Sequence, residues 1–303
     1  MRRRQGRRSD MAIGFLGLGV MGEPMALNLV ESGVDLVVWN RSEPARQRLA
    51  SAGASAAASV DEVFERAETV IVMLATEAAI DETLGRGTDA FGRRLHGRTL
   101  VSMGTNSPEY SRSLEGEVLA VGGAYVEAPV SGSRTPAEKR QLVGMLAGDP
   151  HAVARVRGTV ELLCAQTFEC GAVPSATLMK LAANSFLISL VTGLAEAFAF
   201  AEAAGLDAGL LRSILDGGQM ASPVSAAKTA KLVGGDLSPQ ARIRDVLKNA
   251  QLVSDAAAAA GVASPLIDAS RDLYAAATDA GDGDLDMVGV TDAIRRQGRA
   301  SRG

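Results

Sequence analysis

Cysteine and histidine are almost missing from this chain of 303 residues, which carries two of each. Cys164 and Cys170 flank a short apolar segment, with no CxxC and no Cys/His cluster beside them. No metal site is therefore expected, and the thiols read as reduced, cytoplasmic ones. His96 and His151 fall in polar, loop-like stretches, so a Ser/His/Asp triad has little to build on and proton transfer must come from another residue type. No apolar segment follows the arginines near the N-terminus, so no secretory signal is expected there. A fixed-period repeat is also lacking. Residues 186–201 form one long apolar run, but Glu196 interrupts it and no charged flanks support a membrane span, so a buried helix is expected.

What is present is globular: 47% apolar and 22% charged residues, enough for a sizeable core. Five arginines crowd the first eight residues, and residues 1–10 read as a separate basic tail that the fold can do without. Setting aside those ten residues, with their five arginines and one aspartate, takes the formal charge from −4 to about −8. Such a body is no general polyanion binder, and a nucleic-acid role would rest on the tail alone.

The chain is organised around residues 11–29, which read as a short buried strand, a glycine turn and a helix start. Gly17, Gly19 and Gly22 have the GxGxxG spacing, in which one glycine makes the tight turn, one lets a pyrophosphate approach the backbone and one packs helix on strand. The helix N-terminus then faces the phosphates. Leu18, Val20 and Met21 complete the turn as candidate cofactor contacts. The next strand, 35–39, ends at Asn40-Arg41-Ser42, where an acidic residue would select NAD and an arginine accommodates a 2′-phosphate; these residues favour NADPH, with NADH possible, although a plain solvated turn reads the same way. Short apolar runs at 69–74, 99–102, 124–127 and 142–147 alternate with helical patterns and predict a parallel sheet. Met73 and Leu74, at a strand's carboxyl end, are further candidate cofactor contacts. A run near 164–168 could complete the sheet.

From Cys170-Gly171-Ala172-Val173-Pro174 onward the pattern is helical. One long helix to about Gly205 is followed by helices near 209–215, 224–233, 243–260 and 265–280. Lys180 and Asn184, four apart near the start of the long helix, share a face on which Asn can orient a substrate hydroxyl and Lys can exchange its proton, unless the lysine snorkels to solvent. The pKa of Lys180 is predicted to fall toward the working pH through burial, the repulsion of Lys248 and the positive helix end. Ser131-Gly132-Ser133, after a strand, offers N–H groups and hydroxyls to a carboxylate or phosphate, or is a plain turn.

These residues in this order resemble the β-hydroxyacid dehydrogenase family over roughly residues 11–295. Residues 14–22 through Asn28-Leu29 resemble its opening signature, Ala128-Pro129-Val130-Ser131-Gly132 its substrate loop, and Lys180-Leu181-Ala182-Ala183-Asn184 its catalytic segment. The resemblance implies that Lys180 is the acid/base and that Asn184, Ser131 and Gly132 hold substrate. It also implies that Thr105 touches cofactor and that Lys248 lies near nicotinamide and substrate. Ser133, Ser185 and Asn249 depart from the residues common at those positions, which bears on substrate identity.

The expected fold is α/β: a Rossmann-type doubly wound domain over 11–172 and an all-helical substrate and dimerisation domain over 173–303, with the site in the cleft where they meet. The expected activity is NAD(P)-dependent interconversion of a small semialdehyde or keto acid and its hydroxy acid. An imine-reductase-like enzyme and a non-catalytic NADPH-binding module with a nucleic-acid-binding tail are the alternatives. A small carboxylate-bearing substrate and a homo-oligomer, dimer or tetramer, are the expected partners.

Overall fold

The computed structural model describes residues 12–300, so the basic tail lies outside the described residues. Its contacts divide the chain into one compact unit ending at Lys180 and a second beginning at Leu181. The first unit opens with β1 (Ala12–Leu16), α1 (Gly22–Glu31), β2 (Leu36–Trp39), α2 (Glu43–Ser51), β3 (Ser55–Ala56), α3 (Val60–Arg66) and β4 (Ala67–Val72). It continues through α4 (Glu77–Leu84), α5 (Asp89–Leu95), β5 (Thr99–Ser102), α6 (Pro108–Ala120) and β6 (Ala124–Glu127). After β7 (Val130–Ser131), α7 (Arg134–Glu138), β8 (Leu142–Gly148), α8 (Pro150–Glu161) and β9 (Cys164–Gly171) comes the long α9 (Ser175–Ala203).

The strands lie in the order β3-β2-β1-β4-β5-β6-β8-β7, with β9 on the other edge of β8. The run from β3 to β6 is parallel and has the Rossmann order. Alternate side chains supply two cores. Phe15, Val38, Ile71, Val101 and Val126 pack on one face with α1 and α8, while Leu16, Val37, Val70, Leu100 and Tyr125 pack on the other with α3, α5 and α6. Both faces are covered, which is why the strands read as unbroken apolar runs.

The sheet is not parallel throughout, as the sequence predicted. β8 runs antiparallel to β6 and β7, and only β9 returns parallel to it. The segment joining β6 to β8 holds one helix of five residues, too short to carry the chain back across the sheet as a parallel crossover requires.

Local chemistry fixes most helix starts. Ser59, Thr76, Ser107 and Asp149 each accept a first-turn N–H of α3, α4, α6 and α8, and Pro108 and Pro150 stand where no N–H is needed. Pro150 starts α8, so His151 sits in a helical first turn rather than in the loop expected for it.

The second unit is helical: α10 (Ala208–Gly217), α11 (Pro223–Gly234), α12 (Ile243–Ala259), α13 (Pro265–Ala277) and α14 (Val290–Ala300). Its core gathers Leu181, Ile188 and Val191 of α9 with Ile243, Val246, Ile267, Tyr274 and Val288. Beneath it lies an ion pair without any local sequence signal. Lys228 Nζ donates to Asp286 Oδ1 at 2.8 Å, and Asp286 also accepts the N–H of Gln240 at 2.8 Å. Helix α9 is long and apolar enough to cross a membrane by length and composition, yet only 39% of its most apolar window is buried. The expectation of a buried helix therefore holds for one side. Leu178, Met179, Phe186 and Phe200 are exposed, because a helix of 29 residues has more apolar surface than its neighbours in one chain cover.

Candidate active site

The β1–α1 turn separates the three glycine roles by geometry. Gly17 has φ +99°, and a Cβ there would stand 2.3 Å from the Met73 carbonyl oxygen. A Cβ on Gly22 would stand 1.9 Å from the Gly17 oxygen, so this glycine packs helix against turn. At Gly19 nothing lies within 4 Å, which leaves the backbone open to a ligand. That is the division a dinucleotide's pyrophosphate requires, and the residues fit such a cofactor. Gly17 N–H donates to the Trp39 carbonyl at 3.1 Å and Met73 N–H to the Leu16 carbonyl at 2.9 Å, joining three strand ends.

Asn40 does more than leave a carboxylate out. Its Oδ1 accepts the Leu18 N–H at 3.0 Å and its Nδ2 donates to Ser42 Oγ at 2.9 Å, so it holds the glycine turn while Arg41 stays exposed. Arg48 donates to Glu23 at 2.5 Å and holds that carboxyl below the usual range, which neutralises the one acid in the first turn of α1. After β5, Gly104 approaches the Leu74 carbonyl so closely that a Cβ would stand 3.0 Å from it, placing Thr105 beside 73–74. Past β6, Gly132 has φ +136°, and a Cβ there would meet Leu142 at 2.6 Å. The turn after Ser131 thus demands glycine.

Lys180 is buried, 7% exposed, and burial pushes its ammonium down to about 8. Burial, one of the three causes expected from the sequence, is the one that lowers it. One turn further along α9, in the second unit, Asn184 is 3% exposed and its Nδ2 has no hydrogen-bond partner among the described residues. A buried amide donor without an acceptor is suited to a ligand oxygen. Lys248 and Asn249 stand on α12 of the same unit, with the Asn249 Oδ1 likewise unpartnered.

Sequence reasoning passed over Glu127. It ends β6 with 1% exposure and accepts three bonds from the start of α9: Ala176 N–H at 3.1 Å, Thr177 N–H at 3.2 Å and Thr177 Oγ1 at 2.6 Å. The signal available was an acid closing an apolar strand, four residues before Ser131. Asn28, within the opening signature, is buried and its Nδ2 donates to the Ala137 carbonyl at 2.6 Å, tying α1 to α7. Among the described residues, no group of three or more His, Cys, Asp or Glu could hold a metal ion.

Residues 12–171 match the family profile described as the NAD binding domain of 6-phosphogluconate dehydrogenase. Residues 175–294 match that of the NAD-binding of NADP-dependent 3-hydroxyisobutyrate dehydrogenase. Glyoxylate/succinic semialdehyde reductase 1 of Arabidopsis thaliana is 30% identical over 286 residues, covering 94% of this chain and 99% of that one. The 2-hydroxy-3-oxopropionate reductase of Escherichia coli is 28% identical over 285 residues, covering 94% and 97%. Among solved structures, 3-hydroxyisobutyrate dehydrogenase of Mycobacterium tuberculosis superposes with a TM-score of 0.81 at 27% identity, over 94% of this chain and 99% of that one. Profiles that meet across both units, and relatives aligned nearly end to end, carry the same assignment as the glycine turn and the buried lysine: the chain belongs to the β-hydroxyacid dehydrogenase family of NAD(P)-dependent oxidoreductases.

Proposed function

We propose that this enzyme uses NADPH to reduce the carbonyl of a small semialdehyde or keto acid to the hydroxy acid, the oxidation running through the same steps backwards. The carrying observation is Lys180, whose burial brings its proton within reach of neutral pH, one helical turn from an unpaired Asn184. When bound, the cofactor supplies hydride to the carbonyl carbon. Gly17, Leu18, Gly19, Val20 and Met21 would hold its pyrophosphate side, Arg41 and Ser42 its ribose phosphate, and Met73, Leu74 and Thr105 the stretch toward the nicotinamide. As the carbonyl electrons move onto oxygen, Lys180 Nζ gives that oxygen a proton and is left a neutral amine. Asn184 Nδ2 donates to the same oxygen and fixes its direction. Ser131 Oγ and the Gly132 N–H hold the substrate carboxylate, and Lys248 is the further residue that the family resemblance assigns to substrate and nicotinamide. The neutral lysine regains a proton from water.

NADPH is the preferred cofactor in this reading, because Arg41 can pair with a 2′-phosphate and Asn40 leaves no carboxylate to repel it. A second copy of the chain, making a dimer or a tetramer of such dimers, covers the exposed side of α9, where Phe186 is 73% and Phe200 69% exposed. The unbonded thiols of Cys164 and Cys170 suit the cytoplasm.

The test is NADPH oxidation against glyoxylate, succinic semialdehyde, 2-hydroxy-3-oxopropionate and related small aldehydo- and keto-acids, with light scattering of the same sample. Turnover with at least one of them and an oligomer are expected. No carbonyl-dependent oxidation across the panel would overturn the activity, and a monomer at micromolar concentration would overturn the assembly.

A further inference from the structure

A helix start leaves N–H groups that something must accept. In α9 the residue before the first helical position is Pro174, whose side chain has no acceptor to offer. The first turn instead donates to Glu127, which arrives from the end of β6 some fifty residues earlier: Ala176 N–H and Thr177 N–H to Oε2, Thr177 Oγ1 to Oε1. The same carboxylate accepts Ser111 Oγ of α6, and that hydroxyl meets the buried Tyr125 hydroxyl at 2.9 Å. Glu115 also faces it, its own carboxyl pushed up by burial and by Glu127. In α3, α4 and α6 a serine or threonine caps its own helix, without burying a charge. A remote, buried carboxylate here ties two elements that a local cap would leave independent.

Those elements carry the chemistry. Glu127 is followed four residues later by Ser131, and Thr177 precedes Lys180 by one turn. We propose that Glu127 is the positioning residue of this site, holding the first turn of α9 to the end of β6 so that the Lys180 ammonium keeps a fixed, dry place relative to the Ser131-Gly132 loop. This rests on the reading of Lys180 as the acid/base. Both carboxylate oxygens are engaged by α6 and α9; Glu127 acts by fixing where the lysine stands.

The experiment compares Glu127→Gln, Glu127→Asp, Thr177→Val and Lys180→Met in the full-length protein. Two readouts are used: the pH profile of kcat/KM for NADPH-dependent reduction of succinic semialdehyde or whichever acid the panel selects, and the pKa of Lys180 by competitive chemical labelling, which needs no turnover. Gln keeps the shape of Glu but loses its charge and puts an amide donor where one oxygen accepted the Thr177 and Ser111 hydroxyls, so α9 should start more loosely and admit water to Lys180. Expected for Glu127→Gln is a fall in kcat of about 10–100-fold with the NADPH KM within about threefold. The labelled pKa of Lys180 and the alkaline limb of the profile should move together from about 8 toward 10.5. Glu127→Asp keeps the charge and acceptors and should recover most of the loss. Thr177→Val, which removes one donor, should show a smaller change in the same direction. A folded Glu127→Gln with kcat within about twofold of the unmodified protein and an unmoved Lys180 pKa overturns the proposal. If that variant does not fold, Thr177→Val decides by the same two readouts. If Lys180→Met keeps its turnover, the acid/base reading has failed instead, and the labelled pKa alone then decides whether Glu127 fixes the lysine.

Discussion

Replacing Lys180 by methionine should make the protein inactive and more stable at once. The shift of the lysine from an ordinary 10.5 to about 8 is caused by burial. At about 1.4 kcal/mol per pH unit it corresponds to a penalty on the order of 3 kcal/mol for holding the ammonium in the fold. The sign follows from proton binding. Below about 8 the folded and unfolded chains both hold the proton, and the whole penalty is present. Between about 8 and 10.5 only the unfolded chain holds it, so stability rises with pH; above 10.5 the penalty is gone. Methionine has a similar length and no charge, so Lys180→Met should gain about 1–3 kcal/mol at pH 7, seen as a Tm higher by a few degrees, with the gap closing toward pH 10.5. Turnover should fall by about 10²–10⁴-fold, the usual worth of a placed proton donor, with NADPH affinity unchanged. Lys180→Arg should rescue neither property, because guanidinium keeps its proton and still has to be buried. Scanning calorimetry at pH 7 and pH 10, steady-state turnover and NADPH titration by fluorescence check each part. A Lys180→Met protein that is less stable than its parent at pH 7, or that keeps more than about a tenth of its turnover, refutes the reasoning.

The glycine turn allows a paired prediction. Gly19→Ala has open space for its methyl and should fold normally while NADPH binding weakens by about tenfold or more, whereas Gly22→Ala meets the Gly17 carbonyl and should lose about 1–3 kcal/mol of stability; thermal melts beside fluorescence titrations separate the two, and equal behaviour would contradict the assigned roles. Arg41→Ala should narrow the NADPH/NADH preference by about tenfold in kcat/KM, and a parent enzyme with comparable values for both cofactors would sink that assignment. Asp286→Ala strands the buried Lys228 ammonium and the Gln240 N–H, so denaturant unfolding followed by circular dichroism should show a loss of about 3–5 kcal/mol; a loss below about 1 kcal/mol would mean that the pair is dispensable.

Strands, helices and the lysine were legible because each leaves a local mark. A strand buried on both faces is a run of apolar residues, and 69–74 and 99–102 became β4 and β5 within two residues. The direction of β8 left no such mark, since Leu142–Gly148 is an apolar run whichever way it points and only the shortness of α7 reverses it. Lys180 stood out as a charge on an apolar helix face, while the side of α9 that stays exposed looked no different from the side that packs. What stayed hidden was pairing at a distance. Glu127 reads as the polar end of a strand until Thr177 is brought to it, and Asp286 reads as one more acid in a polar loop until Lys228 meets it. Buried charges of this kind are specified by whole-fold proximity, which no window of sequence contains. One negative mark does survive at the local level. Helices α3, α4, α6 and α8 each begin with a side chain that can accept their first N–H, but the long helix bearing Lys180 begins after Val173-Pro174 with none. A buried helix start without its own cap requires an acceptor from elsewhere in the chain. The missing cap is thus a local sign of a non-local partner, and it falls one turn from the residue whose placement the chemistry depends on.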